Sequence, residues 1–392
     1  MLNAITNPAI REGIFDIWFD RDYSKYAQAI GSTSMTLTTW QPADQMRLYV
    51  RKDVASQVWN YGVGPSAAAV PEDPYKIGTV IIPADQIFGP DRYAPLGLNA
   101  PRAIAAGLNN DFYLADSRNN RIIHISADGT LLHEWGTFAA IDYFAGPVSE
   151  ADALKQAPIG TFSEPWGVAV GPDGSVYVAD TWNHRIQKFT GDGKPLKIWG
   201  QYGQPIPELP ESSSSFWGPR GIAVDSLGHV LVADTGNKRI VIFDSNGNYI
   251  SEFGTGGFDP GQFDEPVGIA IGPDETVYVT DTWNQRVQSF IPDQTGTFYS
   301  PYQQWDVFAW KGQSLDNKPF IAVGTNNHVF ITDPEGYRVI EFASNGEFVR
   351  TWGDFGIGDS EIGLAAGVTV DPLGFVWVTD AGNNRILRYR MP

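Results

Sequence analysis

The chain has no cysteine among its 392 residues, which excludes disulfide bonds and zinc sites built on thiolates. No run of about 18 uncharged apolar residues occurs, so no membrane span is predicted in this chain. The N-terminus lacks the basic start and apolar stretch of a signal peptide. Basic residues are also scarce, since 27 Lys and Arg face 45 Asp and Glu for a net charge of −18. This acidic balance disfavours a nucleic-acid partner.

Glycine and proline are plentiful, with 42 and 27 residues respectively. This abundance favours many short strands joined by tight turns over long helices. Apolar residues make up 42% of the chain and aromatic residues 13%, which is enough for a sizeable core. The lack of cysteine is compatible with the cytoplasm and with a bacterial exterior, and does not separate the two.

Six segments of the chain can be laid over one another. Two of them read "PWGVAVGPDGSVYVADTWNHRIQKF" from Pro165 and "PVGIAIGPDETVYVTDTWNQRVQSF" from Pro266. The other four begin at Pro101, Pro219, Pro319 and Ala365. In each segment an aspartate closes the second apolar run, at Asp116, Asp180, Asp234, Asp281, Asp333 and Asp380. A period near 50 residues with several short strands predicts the blades of a β-propeller.

Each repeat is predicted to form four antiparallel strands, because apolar runs alternate with Gly- and Asp-rich hairpin turns. The last repeat stops after its third strand, at Pro392. The segment "GTVIIPADQIFG" resembles the fourth strands, so a strand near 79–88 is expected to complete the last blade and close the ring. We therefore predict an all-β, six-bladed propeller over 78–392. Residues 1–77 form an appendage with a linker, a helix at "YSKYAQAIG" and strands at "MTLTTW" and "MRLYVRK".

The recurring pattern "P-x-G-[IV]-A-[VI]", "[VL]-[YV]-V-[AT]-D" and "x-x-N-x-R-[IV]" resembles that of the NHL-repeat propellers. The resemblance implies a six-bladed ring whose functions range from ligand, protein or RNA recognition to, in one relative, zinc-dependent lyase activity. Residues 1–77 are similar to the extracytoplasmic tail of bacterial membrane glycosyltransferases of the flippase-associated type. That second resemblance implies an extracytoplasmic or cell-surface location and a tail whose membrane part is missing here. A cytoplasmic location stays open.

The stretch "ADTWNHRIQKF" resembles an active site, because an acid, a histidine and an arginine lie close together. The set Asp180, Asn183 and Arg185 recurs in nearly every blade, however, and a catalytic site is normally built once. We therefore interpret the set as architecture, with the aspartate accepting hydrogen bonds in the turn. His184 occupies a slot that other blades fill with different polar residues, which predicts a solvent-facing turn position.

The sequence predicts neither a catalytic set nor a metal site. The five histidines fall at different places in their blades and are not expected to converge, as zinc would require. The inner strands carry almost no side-chain oxygens, so no cofactor is predicted. Calcium in the central channel stays open as an alternative.

Positions that vary between blades are better candidates for a site. In a propeller the start of the inner strand and the turn after the second strand share one face. At these two positions the chain places the predicted ligand-binding residues Trp166, Trp182, Trp283, Phe320, Arg102, Arg118 and Arg220. Exposed aromatic rings with guanidinium groups suit sugars, peptides or anions. Alternatively, the tryptophans seal the blades and the arginines pair with Glu164, Glu265 or Glu335. Two long connections, 137–162 and 201–217, reach the same face.

The function predicted from these features is that of a non-enzymatic recognition or scaffold module. Such a module would bind a glycan, a peptide or a partner protein through its Trp/Arg face. The alternative is a metal-dependent hydrolase or lyase with its site in the central channel. A third interpretation is a structural tail that supports a membrane glycosyltransferase.

Overall fold

The computed structural model describes residues 16–20, 35–41, 45–50, 73–90, 96–206, 213–310 and 317–391. The chain divides into two compact units, Met1–Pro74 and Tyr75–Pro392. The first unit contains β1 (Asp16–Asp20), β2 (Met35–Gln41) and β3 (Gln45–Val50) in the antiparallel order β1-β3-β2. The two segments predicted as strands are β2 and β3, whereas the helix predicted at 23–31 lies outside the described residues.

The second unit is a six-bladed propeller of four-stranded antiparallel sheets, as predicted. Strand β4 (Gln86–Phe88) comes first in the chain. The first blade consists of β5 (Pro101–Ala106), β6 (Asp111–Asp116), β7 (Arg121–Ser126) and β8 (Leu131–Trp135). The second blade consists of β9 (Pro165–Val170), β10 (Val176–Asp180), β11 (Arg185–Phe189) and β12 (Pro195–Trp199). The short strands β13 (Gln201–Tyr202) and β14 (Ser215–Phe216) follow, and the third blade consists of β15 (Pro219–Val224), β16 (Val230–Asp234), β17 (Arg239–Phe243) and β18 (Tyr249–Phe253).

The last three blades follow the same order from the inner to the outer strand. The fourth blade consists of β19 (Pro266–Ile271), β20 (Val277–Asp281), β21 (Arg286–Pro292) and β22 (Tyr299–Asp306). The fifth blade consists of β23 (Ile321–Val323), β24 (Val329–Asp333), β25 (Arg338–Phe342) and β26 (Phe348–Trp352). The sixth blade consists of β27 (Ala365–Val370), β28 (Phe375–Asp380) and β29 (Arg385–Arg390), with β4 as its outer strand. The third and fourth strands of the fourth blade, β21 and β22, have 7 and 8 residues and are longer than the corresponding strands of the other blades.

The ring closes as the sequence predicts, because β4 pairs with β29 and completes the sixth blade. The closing strand is shorter than the predicted 79–88. Thr79 instead bridges Thr351 of the fifth blade, and Pro83, which has no N–H to donate, separates that bridge from β4. Arg388 binds Asp85 through two hydrogen bonds of 2.9 and 2.7 Å, so a side-chain clamp reinforces the short strand.

Small residues let the inner strands approach each other around the central channel. A Cβ atom at Gly167 would lie 2.1 Å from the carbonyl oxygen of Arg220 in the next blade, so only glycine fits there. The channel has a volume of about 210 Å³, and the alanine, valine and isoleucine side chains of the inner strands dominate its walls.

Two connections on one face depart from the repeat. The first carries helix α1 (Glu150–Gln156), which the Ser149 side chain caps by accepting the N–H of Asp152. The second begins and ends with β13 and β14, which pair in parallel. Short 3₁₀ helices lie at Pro74–Gly78, Ser117–Asn119, Thr181–Asn183 and Thr235–Asn237. Within the part of the chain that the structure describes, no helix is long and apolar enough to cross a membrane.

Candidate functional site

The recurring aspartate anchors the turn at the end of each second strand. Asp180 is fully buried and accepts hydrogen bonds from Asn183 Nδ2 at 2.9 Å and Arg185 Nε at 2.7 Å. Its other oxygen accepts the backbone N–H of Ser163 at 2.7 Å. Arg185 in turn donates to the carbonyl of Ala157 at 2.6 Å. The set therefore ties the incoming connection to the blade, in agreement with its interpretation as architecture.

The same contacts recur around the ring. The Arg Nε–Asp Oδ2 distance is 2.7 to 2.9 Å in every blade, in the pairs Arg121–Asp116, Arg185–Asp180, Arg239–Asp234, Arg286–Asp281, Arg338–Asp333 and Arg385–Asp380. The fifth blade keeps its pair although Gly336 replaces the asparagine.

His184 is buried, so the predicted solvent-facing position is wrong. It adopts a left-handed conformation with φ of 54°, and its Nδ1 accepts the N–H of Gly218 at 2.9 Å. Asn120 and Asn384 make the equivalent bond to the following blade, at 2.9 and 2.8 Å. The slot is thus a hydrogen-bond latch between blades. Tyr143 and Tyr202, from the two long connections, lie against the imidazole at 5.5 and 4.7 Å between ring centroids.

Four of the seven predicted site residues come together at the start of the inner strands. The guanidinium groups of Arg102 and Arg220 lie 4.5 and 4.9 Å from the ring centroid of Trp166. Arg220 also lies 5.9 Å from the ring of Trp182. Two positive charges are therefore held close to one aromatic ring at the mouth of the channel.

The expected exposure of the aromatic residues is wrong for two of them. Trp166 is fully buried between its arginines, and Phe320 packs into the core and lines the channel. Their rings fill the space where the inner strands begin, so neither offers a free face. Trp283 is 60% exposed and Trp182 is partly exposed. Arg118 is exposed in the turn after β6, and no contact joins it to the cluster among the described residues.

Sequence reasoning missed the ion pair beside this cluster. Lys318 Nζ lies 2.6 Å from Glu265 Oε2 and 5.7 Å from the ring centroid of Trp283. The Lys318 side chain is 1% exposed and that of Glu265 24% exposed. Burial, aided by the positive charge of Arg220, lowers the pKa of the Lys318 ammonium.

A signal for this pair was present in the sequence. Both residues directly precede the first residue of an inner-strand segment, Pro319 and Pro266. The six residues at this slot are Ala100, Glu164, Gly218, Glu265, Lys318 and Leu364, among which Lys318 is the single cation.

The described residues do not fit a metal ion in the channel. No three His, Asp or Glu side chains converge within the described ranges. The channel walls offer the Thr369 hydroxyl and backbone groups but no carboxylate or imidazole. Three histidines instead pair with a nearby carboxylate: His124 with Asp111, His229 with Asp225, and His328 with Glu341. Neither a three-histidine zinc site nor a carboxylate-rich calcium site can be assembled from them.

Comparison with protein families identifies NHL repeats at residues 162–189, 216–243, 263–290 and 364–389. A probable peptidyl-alpha-hydroxyglycine alpha-amidating lyase of Caenorhabditis elegans is 32% identical over 146 residues, covering 36% of this chain and 41% of that protein. Peptidylglycine alpha-amidating monooxygenase of Rattus norvegicus is 30% identical over 203 residues, covering 45% of this chain and 20% of that protein. These matches span less than half the length of either relative.

Among solved structures, a gluconolactonase from Xanthomonas campestris has a TM-score of 0.51 at 15% identity. The match covers 80% of this chain and 98% of that one, and it shows a shared fold. The resemblance of residues 1–77 to glycosyltransferase tails stays a prediction.

The similarity to amidating lyases corrects the predicted function. The interpretation of the chain as a non-enzymatic recognition module is wrong, because enzymes recur among the proteins that its repeats match. The alternative prediction, a metal-dependent hydrolase or lyase with its site in the central channel, agrees better with these relatives, although the described residues do not provide the ligands of a metal.

Proposed function

Because the chain is a six-bladed β-propeller with NHL repeats, we propose that it is an enzyme, a lyase or a hydrolase, acting at the mouth of its central channel. The observation that carries this proposal is the Lys318–Glu265 pair, a carboxylate held by a buried ammonium where the inner strands begin. The similarity to amidating lyases supports the reaction class.

Glu265 is the proton-transferring group in this proposal. Its carboxylate is partly exposed and can meet a substrate, while the ammonium of Lys318 orients it and compensates its charge. Arg220 adds positive charge beside Lys318, which favours a substrate with an anionic group. No step uses a metal ion, since the described residues do not provide its ligands.

A peptidyl-alpha-hydroxyglycine illustrates the chemistry. Glu265 would take the proton of the hydroxyl group, the C–N bond would break as the aldehyde forms, and the protonated carboxyl group would return the proton to the departing nitrogen. The products are an amide and an α-oxo acid, so atoms and charge balance. In a hydrolysis the same carboxylate would take a proton from the attacking water.

The test is turnover by the purified chain of a peptidyl-alpha-hydroxyglycine and of an aldonolactone, with and without chelator. Glu265→Gln should lower the rate at least about 100-fold, the usual scale of a lost general base. Glu164→Gln is the matched control, since Glu164 also precedes an inner-strand proline and also has a positive φ. No turnover of either substrate, or equal rates in the two variants, would contradict the proposal.

The partners expected from the sequence are a glycan, a peptide or a partner protein, and the first two enter this proposal as substrates. An extracytoplasmic location is proposed as well, and fractionation of the source cells would test it.

A further inference from the structure

Trp283 is the most exposed of the aromatic residues that the sequence places at the site. It lies in the turn between β20 and β21, and its backbone N–H donates to the carbonyl of Asp264 at 3.0 Å. The N–H of Thr282, the preceding residue, donates to the carbonyl of Glu265 at 3.2 Å. Two adjacent hydrogen bonds therefore hold the indole beside the residue that transfers the proton in the proposed reaction.

The indole of Trp283 has one covered face and one open face. Lys318 Nζ lies over the ring, 5.7 Å from its centroid. Because the Lys318 side chain is 1% exposed and Trp283 is 60% exposed, the ammonium lies on the protein side of the ring and the opposite face meets solvent. The same ammonium contacts Glu265 Oε2 at 2.6 Å. The carboxylate and the open indole face are therefore parts of one site, linked through a single ammonium group.

The charges around the indole select a neutral ligand group. A cation on the open face would be repelled by the Lys318 ammonium behind the same ring. An anion would meet the negative face of the aromatic system. A sugar needs hydrogen-bond partners for its hydroxyl groups, and the nearby carboxylate of Asp264 is already engaged by Lys238 Nζ at 2.7 Å. A neutral apolar group gains from contact with the ring and meets none of these penalties.

We propose that Trp283 is a specificity-determining residue that binds a neutral apolar side chain of a peptide substrate, next to the reacting group. This inference deepens the proposed function and rests on it for the position of the reacting group at Glu265. Successive Cα atoms of a peptide are about 3.8 Å apart, so a group that reacts at Glu265 brings the side chain of the preceding residue close to the indole. Contact with the ring removes apolar surface from water and favours phenylalanine or leucine at that residue.

The third blade supplies a matched control for Trp283. Its residue in the same slot is Gly236, and a Cβ atom there would lie 2.5 Å from the Trp217 ring. Trp217 thus places an indole at the corresponding position of its blade, and it is 43% exposed. Its ring lies against that of Tyr202, at 6.4 Å between centroids. Trp217→Ala therefore removes an exposed indole from the same face, in the neighbouring blade.

The test is a series of N-acetyl-X-α-hydroxyglycine peptides in which X is phenylalanine, leucine, serine or lysine. In the parent chain, kcat/KM for the phenylalanine and leucine peptides should exceed that for the serine and lysine peptides at least about 10-fold. Trp283→Ala should reduce this ratio to about 2-fold or less, whereas Trp283→Phe should keep part of it and Trp217→Ala all of it. The series on the parent chain needs no variant, so a variant that fails to fold does not hide the result.

Several outcomes would overturn the inference. They are equal kcat/KM values across the series in the parent chain, a preference for the lysine peptide, a preference that survives in a folded Trp283→Ala variant, and a preference that Trp217→Ala abolishes equally.

A binding measurement separates failure of this inference from failure of the proposed reaction. N-acetyl-X-glycine peptides lack the hydroxyl group whose proton Glu265 takes, so they bind without turnover. By isothermal titration calorimetry the phenylalanine peptide should bind at least about 10-fold more tightly than the serine peptide, and this difference should disappear in Trp283→Ala. If that holds while no hydroxyglycine peptide is turned over, the reaction is wrong and the binding role of Trp283 stands. If the two peptides bind alike, or neither binds, the role of Trp283 is wrong.

Discussion

Lys318 and Glu265 form a 2.6 Å ion pair although they belong to neighbouring blades and are 53 positions apart in the chain. The ring brings them together because both residues directly precede the inner-strand segment of their blade. The ammonium group of Lys318 is buried, and a buried ammonium group is stable only when nearby negative charge compensates it. The stability of the fold therefore depends on Glu265, the residue that the proposed reaction uses.

The first prediction is that Lys318→Met partly rescues the stability lost in Glu265→Gln. The single Glu265→Gln change should cost about 2 to 3 kcal/mol, below the usual 3 to 5 for a fully buried pair because Glu265 is partly exposed. The double variant should lose less, since no buried charge remains at position 318. Urea unfolding of the two single variants and the double variant measures this coupling, and strictly additive losses would contradict it.

A second prediction concerns acid stability. Burial lowers the pKa of His184 from 6.5 to about 4. Between these values the unfolded chain binds more protons than the folded chain, so stability falls as the pH drops from 6.5 towards 4. The loss should reach about 3 kcal/mol below pH 4. His184→Asn should remove this contribution while keeping the latch, because asparagine fills the same slot at Asn120 and Asn384.

Unfolding free energies at several pH values, compared between the parent chain and each variant, check this prediction. His133→Asn is the control, since His133 is exposed on the outer strand of the first blade. A pH dependence that is the same in the parent and in His184→Asn would show that the buried imidazole is not responsible.

A third prediction concerns the contact between blades at Gly247. This residue has φ of 77°, and a Cβ atom there would lie 2.6 Å from the Trp199 ring of the preceding blade. Gly247→Ala should destabilise the chain in two ways. The substitution forces alanine into a left-handed backbone conformation, and it overpacks the contact with Trp199, which by itself should cost about 1 to 3 kcal/mol. Gly228→Ala isolates the strain, because Gly228 has φ of 86° and nothing within 4 Å of its Cβ position. Equal melting temperatures of the two variants would refute the clash.

A fourth prediction separates the buried Arg–Asp pairs from surface pairs. Arg185→Met leaves the buried carboxylate of Asp180 without its main charge partner and should cost about 3 to 5 kcal/mol. Lys155→Met removes the exposed Lys155–Asp152 pair on helix α1 and should leave stability unchanged. Denaturant titration of both variants measures the free energy of unfolding. A small loss of stability in Arg185→Met would contradict the architectural role of the buried Arg–Asp pair.

The amino-acid sequence alone determined the number of blades, the order of their strands and the closure of the ring. These features follow from patterns that recur locally, such as the apolar runs, the hairpin glycines and the Asp–Arg pair at the end of each second strand. It also indicated that the acid-, histidine- and arginine-containing stretch around Asp180 is scaffold, because a residue set present in nearly every blade does not mark one site.

The tertiary structure alone decided which variable residues meet and which are buried. Trp166 was predicted to be exposed but is enclosed by Arg102 and Arg220, which approach it from the flanking blades. His184 was predicted to face solvent but is covered by tyrosines from both long connections. Burial of this kind depends on how non-repeating segments pack across the ring. A pattern that is read along one repeat carries no information about segments that approach from elsewhere in the chain.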